Sequence, residues 1–197
     1  MEKKSKLFTK YNALENGLTK NNTYFFRDYT KNILYNTSGK NQFVHEHMIF
    51  VSNFFIRKLS NSKHWYIDGT FVYPEELSQL IVILYKDDVL GKRFPGLFAL
   101  INNKKYEGYN LLFNKIKYVL TIENSTDLKL ESYTLDFEIA LQNIMSNLFP
   151  NKRWIGCYYH YCRNLRAEIR DLGLLHIEEL TDITDSLLEE LYTLPFI

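Results

Sequence analysis

The sequence is poor in almost everything that marks a secreted, fibrous or membrane chain. Only two of its 197 residues are cysteines, Cys157 and Cys162, too few for a disulfide framework. Eight glycines and four prolines exclude a collagen-like chain. No run of about 18 apolar residues occurs, so no membrane span is expected. Met1 to Lys10 is basic but has no apolar segment after it, so no signal peptide is read there. Neither sign of charge prevails. The 24 basic and 23 acidic side chains leave +1, which argues neither for nor against a nucleic-acid partner. A reducing intracellular compartment is the default expectation.

Against these absences stand 46% hydrophobic and 24% charged residues, which rule out disorder for the bulk of the chain. The length suits one domain, and such a domain hides roughly 70% of its unfolded surface. The charge is unevenly spread. Residues 1–40 hold eight basic and three acidic side chains, whereas 168–190 hold eight acids against the single Arg170. The first stretch reads as a solvated arm and the second as the exposed face of helices.

Residues 1–41 are polar and Asn/Lys-rich, a weakly structured lead-in with a short extended piece around Tyr24–Phe26. Val44, Met48, Val51, Phe55 and Leu59 recur at three and four, which predicts a helix over 42–62. The period then shortens. His64–Ile67, Leu80–Tyr85 and Gly96–Ile101 read as strands, with turns at Pro74–Glu76 and across 86–92. Short connections make these three an antiparallel meander. Tyr109, Leu112, Phe113, Ile116, Val119 and Leu120 form a helical stripe. A strand at 132–135, a helix from Phe137 to Leu148, a strand at 153–157 and a helix closed by Gly173 follow. A further helix is expected over 178–192. Three antiparallel strands and then alternating helices and strands predict an α/β domain. Its mixed five-stranded sheet would be flanked by helices, in the order of the ribonuclease H-like fold.

Two carboxylates stand at strand ends: Asp68 in Trp-Tyr-Ile-Asp-Gly-Thr-Phe and Asp136 in Thr-Leu-Asp-Phe-Glu. If their strands are neighbours, the acids meet at one sheet edge. Clustered hard oxygen donors attract Mg²⁺ or Mn²⁺, and such ions drive phosphodiester chemistry. Each acid alone also suits a turn, and Asp136 suits a helix N-cap. Cys157 and His160, with Cys162 and His176, give a C-x2-H-x-C-x13-H spacing that matches no common zinc site. A buried Cys with a His hydrogen-bonded beside it is the simpler reading; a Cys–His nucleophile pair lacks an orienting third residue.

These residues fall into a larger pattern. Trp65–Phe71, Pro74, Gln79-Leu80, Phe94-Pro95, Ala99-Leu100, and Lys104 followed by Tyr109 stand in order. So do Asp136-Phe137-Glu138-x-Ala140, Phe149-Pro150 and Gly156-Cys157-x-x-His160. Together they resemble the Mutator-like element (MULE) transposase domain from about Trp65 to Gly173. The resemblance implies a ribonuclease H-like core with an Asp-Asp-Glu triad that uses Mg²⁺ or Mn²⁺. Asp68 matches the first Asp, Asp136 the second, and Cys157 and His160 the family's Cys-x-x-His motif. The third acid of the family follows a helical insertion. Glu178, Glu179, Glu189 and Glu190 come too early for it and belong to an acidic helical face. The family's N-terminal zinc module has no counterpart either, and His45 and His47 read as surface residues of the first helix.

The organisation expected is therefore a lead-in (1–41), a helix (42–62), the core (63–173) and the start of a truncated helical insertion (174–197). The function expected is that of a catalytic-core fragment of a DNA transposase, inactive alone for want of the third acid. The implied partners are transposon-end and target DNA and a second copy of the chain, with no membrane, and the setting is the nucleus in a eukaryote. Lys104, Lys105, Lys152, Arg153, Arg163 and Arg166 are the expected phosphate contacts. Alternatives are a non-catalytic DNA- or protein-binding module derived from a transposase, or another ribonuclease H-like nuclease.

Overall fold

The computed structural model describes residues 26–35, 42–71, 79–122 and 127–173. The strands are β1 (Phe26–Tyr35), β2 (Gln42–Phe50), β3 (His64–Phe71), β4 (Gln79–Lys86), β5 (Arg93–Ile101), β6 (Ser132–Leu135) and β7 (Arg153–Gly156). The helices are α1 (Asn53–Asn61), α2 (Tyr106–Ile122), α3 (Ile139–Leu148) and α4 (Tyr158–Asp171). One mixed sheet runs in the order β1-β2-β5-β4-β3-β6-β7. Pairs from β1 to β3 are antiparallel, and β3-β6 and β6-β7 are parallel.

The five expected strands are present as β3 to β7, but the sheet has seven. The helix predicted over 42–62 divides into β2 and α1. The lead-in supplies β1 at 26–35, a ten-residue strand paired along its length with β2. What breaks the predicted helix is local. Ser52 takes an extended conformation, and its hydroxyl caps α1 by accepting from Phe55 N at 3.3 Å. His45 and His47, expected on a helix surface, are buried on β2 instead. The Pro74–Glu76 turn, the 178–192 helix and the 174–197 segment lie outside the described residues.

Burial follows strand alternation. Trp65 and Ile67 on β3, Ile81, Ile83 and Tyr85 on β4, and Leu97, Ala99 and Ile101 on β5 are buried, while Leu80, Val82 and Leu84 between them are only partly so. The buried face meets α1 and α2, and α3 packs against α2. Trp65 joins the layers: its indole N–H donates to the Leu59 carbonyl of α1 at 3.0 Å and its ring meets Phe149 edge-on. Ser60 ties α1 to α2 through the Leu120 carbonyl at 2.8 Å. The β4–β5 turn is held by Asp87, which accepts from Leu90 and Val89 N–H and pairs with Lys58 at 3.0 Å. Those contacts, led by Leu90 N–H and then Lys58, keep its carboxyl below the usual range.

Between Ile83↔Leu97 and Leu84↔Pro95 the register slips by one residue, and Gly96 is the extra one. A Cβ there would lie 2.8–3.1 Å from three carbons of the fully buried Leu59. Gly96→Ala is expected to destabilise the domain by about 1–3 kcal/mol, because Leu59 has no room to withdraw. Urea unfolding checks this. A loss below about 0.5 kcal/mol would mean that α1 yields at this contact.

Candidate functional site

The parallel pairing of β3 with β6 fixes the two aspartates. His64 lies opposite Ser132, Trp65 opposite Tyr133, and Tyr66 opposite Thr134. Asp68 and Asp136 stand two residues further on, level with each other. β6 ends just before Asp136, whereas β3 runs on past Asp68 to Phe71, so Asp68 lies inside its strand and not at the strand end expected from the sequence. His64 pins this register from the other end. Its Nδ1 meets the Ser132 hydroxyl at 2.6 Å and its Nε2 the Thr134 hydroxyl at 2.9 Å. Burial, then nearby Arg93 and Lys86, hold the His64 pKa down. A neutral ring, one nitrogen donating and one accepting, suits two hydroxyls.

By alternation Asp68 lies on the face opposite Trp65 and Ile67, with 59% of its side chain exposed. His160, in the first turn of α4, approaches it from Nε2 at 3.9 Å from Oδ1. The His160 side chain is only 12% exposed, and its buried Nδ1 has no hydrogen-bond partner. Asp136 follows β6 directly. Its Oδ1 accepts from Glu138 N at 3.1 Å, and its carbonyl accepts from Gln142 Nε2 at 3.3 Å. Asp136 therefore closes a turn and is not the N-cap of α3. That position falls to Glu138, which makes no side-chain cap.

Cys157 precedes α4 and donates its N–H to the Leu135 carbonyl at 2.9 Å, but its thiol caps nothing. Cys157 and Cys162 are both free and half-buried. Among the described residues no group of three or more His, Cys, Asp or Glu is placed to hold a metal ion.

The six expected phosphate contacts divide. Lys104 and Lys105 follow the end of β5, which the pairing Gln79↔Ile101 sets at the acid-bearing edge. Arg163 and Arg166 lie on α4, lining a cavity of about 750 Å³ with Tyr158, Tyr159 and Arg170. Lys152 and Arg153 instead stand at the start of β7, at the opposite end of the parallel strands from Asp136.

A family sequence model, the MULE transposase domain, matches residues 64–164, just over half the chain. The chain belongs to this family. No curated protein and no solved structure matches it. The matched MULE region opens at the first residue of β3 and closes inside α4. It contains both aspartates, Cys157 and His160, while β1, β2 and α1 precede it.

The donors of this MULE domain suit a hard divalent cation in kind. Two carboxylates stand at one level, Asp68 within β3 and Asp136 just past β6, and Asp68 is well exposed. The described residues supply two acids and no third ligand in a cluster. No helix among the described residues is long and apolar enough to cross a membrane.

Three residues that the sequence offers only as parts of the family pattern, Gln79, Tyr109 and Glu138, meet in one polar group. Tyr109, fully buried on α2, places its hydroxyl 2.8 Å from Gln79 Oε1 and 3.1 Å from Glu138 Oε2. Burial, and next the Glu138 carboxylate, raise the phenol pKa. Burial also raises Glu138, partly offset by the Tyr109 hydrogen bond and by Lys104, and reinforced by Asp136. The available signal was Glu138 itself, two residues past Asp136 inside the Asp-Phe-Glu motif.

Proposed function

We propose that this MULE domain is the catalytic-core portion of a DNA transposase, built on a ribonuclease H-like sheet, with Asp68 and Asp136 as its acid pair. The observation that carries the reading is the β3–β6 register, which sets the two acids level at one edge. Asp68 and Asp136 would hold Mg²⁺ or Mn²⁺. When bound, such an ion supplies activation of the attacking hydroxyl and neutralises charge on the leaving oxygen. Around the acids this chain contributes the rest. Glu138 N–H orients one Asp136 oxygen and leaves the other open. His160 flanks Asp68 and has a nitrogen to spare for a polar ligand. Lys104 and Lys105 at the same edge, and Arg163 and Arg166 on α4, suit DNA phosphates. Lys152 and Arg153 do not belong to that surface.

Two acids bind a divalent ion weakly and fix no second one. The described residues are therefore read as insufficient for cleavage or strand transfer alone. That shortfall also favours the second reading, a non-catalytic DNA-binding module derived from a transposase. Calorimetry with Mn²⁺ separates the two. The wild type should bind one ion, and Asp68→Ala and Asp136→Ala should each bind at least about tenfold more weakly. Equal binding by all three proteins would sink the metal site, and salt-sensitive DNA binding without it would leave the module.

A further inference from the structure

Gln79, Tyr109 and Glu138 come from three separate elements and share one proton. Gln79 opens β4 and is 3% exposed, Tyr109 sits in the first turn of α2 and is fully buried, and Glu138 precedes α3. The Tyr109 hydroxyl faces two acceptors, Gln79 Oε1 at 2.8 Å and Glu138 Oε2 at 3.1 Å. Burying an amide and a phenol against a half-buried carboxylate is costly compared with apolar packing of the same volume. The cost goes with an unusual connectivity. At one end, the Glu138 backbone N–H grips Asp136 Oδ1 at 3.1 Å. At the other, the Gln79 amide lies so close to Gly69 that a Cβ there would be 2.4 Å from Gln79 Nε2. Gly69 is the residue after Asp68. A continuous path thus runs from the Asp136 carboxylate through Glu138, Tyr109 and Gln79 to the backbone beside Asp68, beneath the sheet edge where both acids stand.

We infer that Gln79, Tyr109 and Glu138 are positioning residues that lock the spacing of the Asp68–Asp136 pair through one shared hydroxyl. The inference rests on the metal reading of that pair. Glu138 acts here as a hydrogen-bond acceptor and not as a third ligand. Gln can replace it in that role, and a side chain without an acceptor cannot.

The test uses the whole chain with Mn²⁺ as probe and has two readouts. Tyr109→Phe keeps the ring, which meets Phe113 edge-on, and removes the hydroxyl. It should weaken Mn²⁺ binding about tenfold, in the range of ligand-supporting contacts. It should also speed hydrogen exchange at the Glu138 amide about tenfold, since the turn that this N–H closes loses its anchor. Glu138→Leu should do the same, and Tyr109→Phe combined with Glu138→Leu should add little, because both remove one interaction. Glu138→Gln should restore both readouts to within about twofold of wild type. An unchanged Glu138 amide or unchanged Mn²⁺ affinity in Tyr109→Phe overturns the network. A loss in Glu138→Gln as large as in Asp68→Ala overturns it too, by making Glu138 a ligand. A wild-type protein that binds no Mn²⁺ overturns the metal reading itself, and with it the purpose of the network. The exchange measurement tells that failure apart, because it needs no metal.

Discussion

Trp65→Ala is expected to cost the domain about 3–5 kcal/mol, the largest loss from any single side chain named here. The reason is position as much as size. Trp65 is fully buried on the interior strand β3, it meets Phe149 edge-on at 5.6 Å between ring centroids, and it donates to the Leu59 carbonyl. Truncation opens a cavity between sheet and helices and removes one of the two donors to that carbonyl, which keeps only Ser62 N–H at 3.2 Å. Trp65→Phe separates the two effects. It keeps most of the packing and should cost about 1–2 kcal/mol, chiefly the lost hydrogen bond. Guanidinium unfolding of the three proteins is the measurement. A Trp65→Ala loss below about 1 kcal/mol would show that the layers do not meet at this ring.

The second large effect is acid lability. His45 and His47 sit one residue apart on β2, both buried, with His45 Nε2 2.7 Å from His47 Nδ1. Burial, and next the proximity of His47, hold the His45 pKa down at about 4 instead of 6.5. Because the folded pKa is depressed, the unfolded chain binds the proton first. The stability contributed by the neutral ring is complete above pH 6.5 and is lost as pH falls from 6.5 toward 4. The full loss is about 3 kcal/mol. His64, also held down by burial, adds a slope of the same sign. Chemical unfolding at pH 7.5, 6 and 5 should show falling stability, and His45→Gln should flatten that fall. Equal slopes in wild type and variant would exclude His45 as its source.

Much of the fold is legible in the sequence, and the reason lies in local pattern. The runs of Leu80–Tyr85 and Gly96–Ile101 are β-branched or apolar without helical spacing, so β4 and β5 follow from pattern alone. Asp136 follows β6, but Asp68 lies inside β3, which runs on to Phe71; that β3 and β6 are neighbours rests on the expected order of the fold, since β4, β5 and α2 separate them in sequence. The β2 segment reads as a helix for a specific reason. Val44 and Met48 are four apart, which is in phase for a helix and equally for a strand, because four is even. The deciding alternation was carried by His45, His47 and Ile49, and two of those three look polar although all are buried. β1 gave no apolar period at all; its strand conformation comes from pairing with β2. The Tyr109–Glu138 contact was invisible for a different reason. It spans 29 positions and depends on how α2 crosses the sheet, which no local pattern encodes.

The β3–β6 pairing has a kinetic consequence. His64 and Ser132 touch across 68 positions, and β6 is only four residues long. Little local energy offsets the closure of so large a loop, so β6 cannot dock before β4, β5 and α2 have shortened the distance. The acid pair is therefore assembled late in folding, after the meander that supports it. Changes that slow the meander, such as at the Gly96 bulge, would delay formation of the site without touching either aspartate.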